Sequence, residues 1–484
     1  VRPGAARTAA LTAVVAVAVV AADRGLAPRA ASPLVLPAAQ TRAVSAATLV
    51  CPDVAEERDS RRSGSVAYVS AYDRSPAGSG GGTGTGSTAG GSGTVTLHAV
   101  GSAAPDTTVP GSASVQTLPS TSAVVLTATG AAAPAFAAAI TTRYDGGATT
   151  GLAGLDCLAP TSSAYLVGPA TTVGHDPQLV LVNPDPTPAT IDVTVAADGT
   201  PFSADRTRGV SLAGHASTTL ALVDVAPEQV GVAVHVQTRS GRVTAAIRDR
   251  WFTGSVPQGI DWLPPGPPPA KDLVLPGVGG PGQTVSVVIA SQSSDAGTAV
   301  IRVAGPTGEL TPAGLQAVNL PADGIVRVDV PRAALGTLSS LHVTGTVPLL
   351  ASAVSVRAGA VRAQPGDFAW TPSAEPLDAA ASIPSPSASA QLVLTASADT
   401  TATVAALGPN PDQRTVTVAA GSTVVVPLSG AAGGVRVEPG APGLLRAAVV
   451  TAPATGGVSA SVLVDRPTTA RMPAARPDIR LGAG

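Results

Sequence analysis

The chain has 484 residues, enough for several independently cored domains, and its 44% hydrophobic content excludes a disordered polypeptide. Aromatic residues make up only 2%, so cores must be built from Val, Leu and Ala, and the net charge of −2 excludes a general attraction to nucleic acid or anionic lipid.

Residues 1–30 carry an address. Arg2 and Arg7 precede an uncharged run from Thr8 to Ala22, closed by Asp23 and Arg24. The run has the length and flanks of a signal-peptide core, and is short for a membrane span, which needs about 17–25 residues. Two readings stay open. One is a signal peptide, with Val20 and Ala22 at its cleavage site. The other is a signal anchor, a hydrophobic helix that stays in the membrane. Both place the remainder outside the cytoplasm, because positive charge stays inside.

Residues 31–160 read as a first β domain, with strands such as "SVAYVSAY" and "TVTLHAV" and a Gly/Ser/Thr-rich surface insertion at 75–94. Cys51 and Cys157 are the two cysteines. They have no metal-ligand spacing, and an even pair in an exported chain predicts a disulfide tying the ends of this domain together.

From there on, apolar residues recur with period two, as in Ile191, Val193 and Val195, or Val326, Val328 and Val330. Such runs between Gly, Pro and Asp turns are half-buried strands. The pattern repeats about every 100 residues, with expected boundaries at 161–268, 269–385 and 386–470 and a tail at 471–484. Each repeat is expected to open on a Leu-Val-Leu strand: Leu179 to Leu181, Leu273 to Leu275 and Leu392 to Leu394. Each is expected to close on a hairpin in which His235, His342 and Arg436 correspond. Trp262 and Trp370 each stand two residues before a proline, and Pro-rich stretches follow as stiff linkers. The fold class predicted is all-β: tandem immunoglobulin-like β-sandwich domains after an N-terminal hydrophobic helix.

Several features resemble one actinobacterial family of exported or membrane-anchored proteins, whose domain has no known function. They are Cys157, Tyr165-Leu166-Val167-Gly168, Leu179 to Asn183-Pro184, Gly241-Arg242-Val243 and Trp251…Gly259…Asp261-Trp262. Where relatives carry Trp-Phe before Val-Gly, this chain has Tyr165-Leu166, which weakens an aromatic contact there. The resemblance spans roughly residues 40 to 470. It implies β architecture, export and an actinobacterial envelope, and it brings no catalytic residues.

Little chemistry stands out beyond this. The five histidines, His98, His175, His215, His235 and His342, are scattered, with no HxH, HExxH or CxxC spacing, and His175-Asp176 in a Pro-bounded loop reads as turn chemistry. No G-x-S-x-G elbow presents a nucleophile. "GTGSTA" at 84–89 imitates a dinucleotide fingerprint but lacks the following helix that such a site needs. No catalytic residue, cofactor or metal site is therefore assigned. Tyr165, Trp251 and Phe252 form a candidate aromatic surface patch.

These readings converge on a non-catalytic, exported envelope protein, secreted or anchored by one N-terminal helix. Its role would be a structural or protein-interaction scaffold, with a cell-wall polymer or an envelope protein as partner and no nucleic acid. One alternative is a carbohydrate-binding module for a wall polysaccharide, using Trp251. A second is an envelope enzyme with an unrecognised site, for which His235 and Asp249 are the residues to test.

Overall fold

The computed structural model describes residues 40–472 apart from 53–61, 70–92 and several shorter stretches. The Thr8–Ala22 run and nearly all of the 75–94 insertion lie outside the described residues. All regular structure among the described residues is β-strand, apart from short 3₁₀ turns. No helix among them is long and apolar enough to cross a membrane. Residues Ala43–Thr469 form one compact unit. Residues 1–42 and 470–484 form another, whose described part is a two-stranded sheet.

After β1 (Gln40–Ala43) come four modules of two sheets each. The first contains β2 (Ala46–Cys51), β3 (Arg62–Val69), β4 (Thr94–Ala99), β5 (Thr107–Val109), β6 (Ala113–Thr117), β7 (Val124–Thr129), β8 (Ala137–Gly146) and β9 (Thr149–Asp156). The second contains β10 (Ser163–Val167), β11 (Gln178–Asn183), β12 (Ala189–Ala197), β13 (Thr200–Phe202), β14 (Val210–Leu212), β15 (Ala216–Ala221), β16 (Ala233–Ser240), β17 (Thr244–Thr253) and β18 (Val256–Leu263). The third contains β19 (Ala270–Val278), β20 (Thr284–Ser291), β21 (Gly297–Gly305), β22 (Gly308–Leu310), β23 (Val318–Leu320), β24 (Ile325–Val330), β25 (Ser339–Arg357) and β26 (Asp367–Pro372). The fourth contains β27 (Ala381–Ile383), β28 (Ala390–Ala396), β29 (Thr400–Ala406), β30 (Gln413–Val418), β31 (Thr423–Pro427), β32 (Val435–Pro439), β33 (Leu445–Thr451) and β34 (Ser459–Val462). Finally β35 (Thr469–Met472) pairs with β1.

One strand order runs through all four modules. The outer sheets follow β2-β7-β4-β5, β10-β16-β12-β13, β19-β25-β21-β22 and β27-β32-β29-β30. The inner sheets follow β6-β3-β8-β9, β15-β11-β17-β18, β24-β20-β25-β26 and β31-β28-β33-β34. The first module therefore repeats the plan of the other three, which its sequence hides because long insertions break its strand spacing. The Cys51–Cys157 disulfide joins its first strand to the segment after its last.

Two expectations about the repeats change. The closing hairpin is not a hairpin: β16 and β17 lie in opposite sheets, as do β32 and β33, and in the third module one 19-residue strand, β25, runs through both sheets. In the second module, Val234 and Val236 meet Ala245 and Ile247 across the core. Alternation with a Gly turn looks the same in sequence whether two strands pair or face each other. The Leu-Val-Leu runs also differ in place. Those on β11 and β28 are second strands of their modules, whereas Leu273 to Leu275 lies on a first strand, β19. The counterpart of β11 in the third module is β20, with Val287-Val288-Ile289. The inner strands are buried on both faces: Leu179 and Leu181 enter their own core, Val180 and Val182 the core of the first module. Double burial turns alternation into a continuous apolar run.

The modules close on one another. β18 packs against β9 and β26, and β34 packs against β26 and β9, so the four last strands form a central bundle. The first and fourth modules meet through Arg466, which donates to the Cys157 carbonyl at 3.2 Å, and Arg143, which donates to the Gly456 carbonyl at 3.2 Å. Trp262, at the end of the second module, fills the core of the first, and Trp370, at the end of the third, fills the core of the second. The Pro-rich stretches are thus not spacers. Pro264, Pro265 and Pro372 lie against the neighbouring modules, where a residue without an N–H leaves no buried donor unpaired.

Candidate functional site

The central bundle places equivalent positions of four strands around one axis. Leu152, Ile260, Phe368 and Val458 open the apolar part of each strand, and the residue before each is Gly151, Gly259, Asp367 and Gly457. The three glycines have φ of +128°, +123° and +92°. A side chain at Gly151 or Gly259 would collide with Asp367 Oδ1, at 2.3 Å and 2.5 Å from the added carbon. Three modules therefore leave a hole, and the third fills it with a carboxyl group. Asp367 Oδ2 accepts from Leu152 N–H at 2.9 Å and Val458 N–H at 2.7 Å, while Oδ1 is buried without a partner. Burial pushes the Asp367 carboxyl up to about 8, against the pull of the surrounding backbone N–H groups.

A second carboxyl lies two positions further along the axis. Asp261, fully buried, accepts from Trp370 N–H at 2.8 Å and Gly154 N–H at 3.4 Å. Burial, then the proximity of Asp367, holds it well above the usual carboxylate range. The two acids tie strand backbones of different modules together where packing alone would leave N–H groups unpaired.

The third buried acid, Asp249, stands at the joint between the second and third modules. Its Oδ2 accepts from the indole N–H of Trp251 at 2.6 Å and of Trp370 at 3.1 Å, and its Oδ1 has no partner. Burial raises it to about 7, with Asp176 adding and Arg327 opposing. Trp251 stacks on Phe368 at 4.2 Å, meets Trp370 edge-on at 6.4 Å, and lies under Arg327 at 5.7 Å. His175 packs edge-on against Trp251 at 4.8 Å, and burial, helped by Arg327, lowers it to about 4.

The structure separates several residues that the sequence grouped. His235 and Asp249 lie on different sheets, and Asp249 is fully buried while His235 is half-buried. His235 stacks on Tyr165 at 4.2 Å and bonds Ser163 Oγ through Nε2 at 3.0 Å. Of the aromatic trio, Tyr165 pairs with His235, Trp251 with Phe368 and Trp370, and Phe252 lies under Arg250 at 5.7 Å. Their ring contacts are with these partners and not with one another. Asp261 and Asp367 were missed. Aligning the last strand of each repeat would have exposed an aspartate at a position otherwise glycine.

At the opposite ends of the four strands, segments from all four modules enclose a cavity of about 380 Å³. Among the described residues, no group of three His, Cys, Asp or Glu side chains is placed to hold a metal ion.

No curated protein matches the chain in sequence. One solved structure, a tetra-tandem repeat in the extending region of a large adhesion protein, aligns at 10% identity over 79% of this chain and 92% of that one. Its TM-score is 0.09, far below a common fold. A family model, described as a family of unknown function (DUF5719), matches residues 112–429, more than half of the chain. The chain is therefore a member of the DUF5719 family of unknown function.

Proposed function

We propose that the protein is a non-catalytic component of the cell envelope that acts as a rigid structural or protein-interaction scaffold. The observation that carries this reading is the closed bundle: four modules, which we read as immunoglobulin-like sandwiches, are held to one another by buried carboxyl groups on their common axis. Asp249, Asp261 and Asp367 bond indole or backbone N–H groups across module boundaries. A body braced in this way presents its outer sheets and loops at fixed positions, which suits recognition of a wall polymer or an envelope protein. Export in an actinobacterial envelope, by the N-terminal segment as signal peptide or anchor, accords with the Cys51–Cys157 disulfide.

The test is proximity labelling in intact cells, with the N-terminus of the mature chain sequenced from the same preparation. Envelope neighbours, and an N-terminus near Asp23 or an intact hydrophobic segment, are the expected result. A set of neighbours confined to the cytoplasm overturns export and the scaffold reading with it.

A further inference from the structure

We propose that the cavity at the C-terminal ends of the four central strands binds a small non-anionic amphipath, an apolar body with one hydrogen-bond-donating head group. This goes beyond the scaffold reading and does not depend on it. The cavity volume of about 380 Å³ is in the range of small-molecule sites and far above that of packing defects. Its wall is mostly apolar, with Leu158, Leu377, Val462 and Val464 among its side chains. Pro264, Pro265, Pro267, Pro372 and Pro376 also line it, so much of the surrounding backbone offers no N–H to solvate a water cluster. Val464 is 44% exposed, one of few large apolar side chains left so open among the described residues.

The polar groups of the wall define the head group. Asp156, at the end of β9, faces the cavity, and no hydrogen bond to its carboxylate is found among the described residues. Arg466 is buried to 9% exposure and spends Nη2 on the Cys157 carbonyl. Asp465 is already engaged, accepting from the N–H groups of Asp378 and Ala379 at 3.1 Å and 3.0 Å. The wall carries three carboxyl groups, Asp156, Glu375 and Asp465, against one cation, Arg466; with Asp465 spent and Glu375 exposed to solvent, Asp156 is the half-buried carboxyl acceptor left for a ligand. An anionic ligand would lose its hydration against an apolar wall whose carboxyl groups outnumber its guanidinium. A hydroxyl or amine head keeps its hydrogen bond through Asp156 while its hydrocarbon body covers the leucines and valines. Burial raises Asp156 to about 6, so it is an acceptor at neutral pH and above.

The probe is 1-aminoanthracene, an uncharged amine whose fluorescence rises in apolar surroundings, titrated into the purified disulfide-bonded chain at pH 8. Saturable one-to-one binding is expected, displaced by 1-nonanol and at least tenfold less well by nonanoate. Val464→Trp, which fills the cavity from its exposed rim, is expected to abolish binding with an unchanged circular dichroism spectrum and unfolding midpoint. Asp156→Ala is expected to weaken binding about tenfold. Absence of saturable binding by the native chain, or binding that survives Val464→Trp, overturns the site. Equal displacement by nonanoate, or an unaltered Asp156→Ala variant, overturns the non-anionic, donor-headed ligand.

Discussion

The inner and outer sheets of each module are built from the same few residue types and answer to different physics. An outer sheet has one face on its core and one in water, so its charges pair at the surface, as Arg239 does with Asp192 and Arg436 with Glu438. An inner sheet has a core on both sides, so its buried carboxyl groups are desolvated and bond to backbone or indole N–H groups, as Asp367, Asp261 and Asp249 do. An ion pair in water adds little, whereas a buried polar group is costly to leave unpartnered. The stability of this protein should therefore be concentrated on its axis.

The sharpest test is Asp367→Ala. It strips the acceptor from the N–H groups of Leu152 and Val458 and leaves a hole among three glycines. A loss of about 3–5 kcal/mol in urea unfolding is expected, and Asp367→Asn should recover a large part of it. A negligible loss for the alanine variant would show that the axis is held by apolar packing alone. Gly259→Ala attacks the same point from the opposite strand, forcing a methyl group toward Asp367 Oδ1 at a φ of +123°. Its cost should approach that of Asp367→Ala, and the two should be strongly non-additive in a double-mutant cycle.

The disulfide comes next. It closes a separation of 106 residues, and Cys51→Ser with Cys157→Ser should cost about 2–5 kcal/mol, measured as a lower thermal midpoint that reductant reproduces in the native chain.

A smaller effect is a slope with pH. Asp249 and Asp367 are raised to about 7 and about 8, above the ordinary value of 3.8. Between 3.8 and those values the folded chain binds more protons than the unfolded one, so stability falls as pH rises from about 4 to 8. Urea midpoints at pH 5 should exceed those at pH 8, and Asp249→Asn should flatten the slope. A midpoint that rises over this interval would mean that these acids are ionised in the fold. At the bottom of the scale, Arg239→Ala on the outer rim should leave the midpoint unmoved within error; a clear drop there would erase the distinction between the two kinds of sheet.

Much of this was legible along the chain. The alternation of Ile191, Val193 and Val195 marked outer strands because one face met water. The pairing of Cys51 with Cys157 followed from their number and the leader-like segment before them. Trp262 and Trp370, each two residues before a proline, stood near the ends of two repeats, but nothing along the chain showed that each would fill the core of the preceding module. What the chain did not reveal was which sheet each strand joined. Ala233 to Phe252 looked like a hairpin because facing and pairing leave the same alternation. The candidate patch of Tyr165, Trp251 and Phe252 dispersed because the partners of Trp251, Phe368 and Trp370, come from another module more than 100 residues away.

By itself the sequence determined an all-β chain of repeated units, the disulfide and the solvent faces of the outer strands, all consequences of local periodicity and composition. Only the tertiary structure decided that four such units close on a common axis. That closure gives Asp367 a place where three other modules carry or adjoin glycine, since an empty site in one strand is filled from another and no local pattern records the partner.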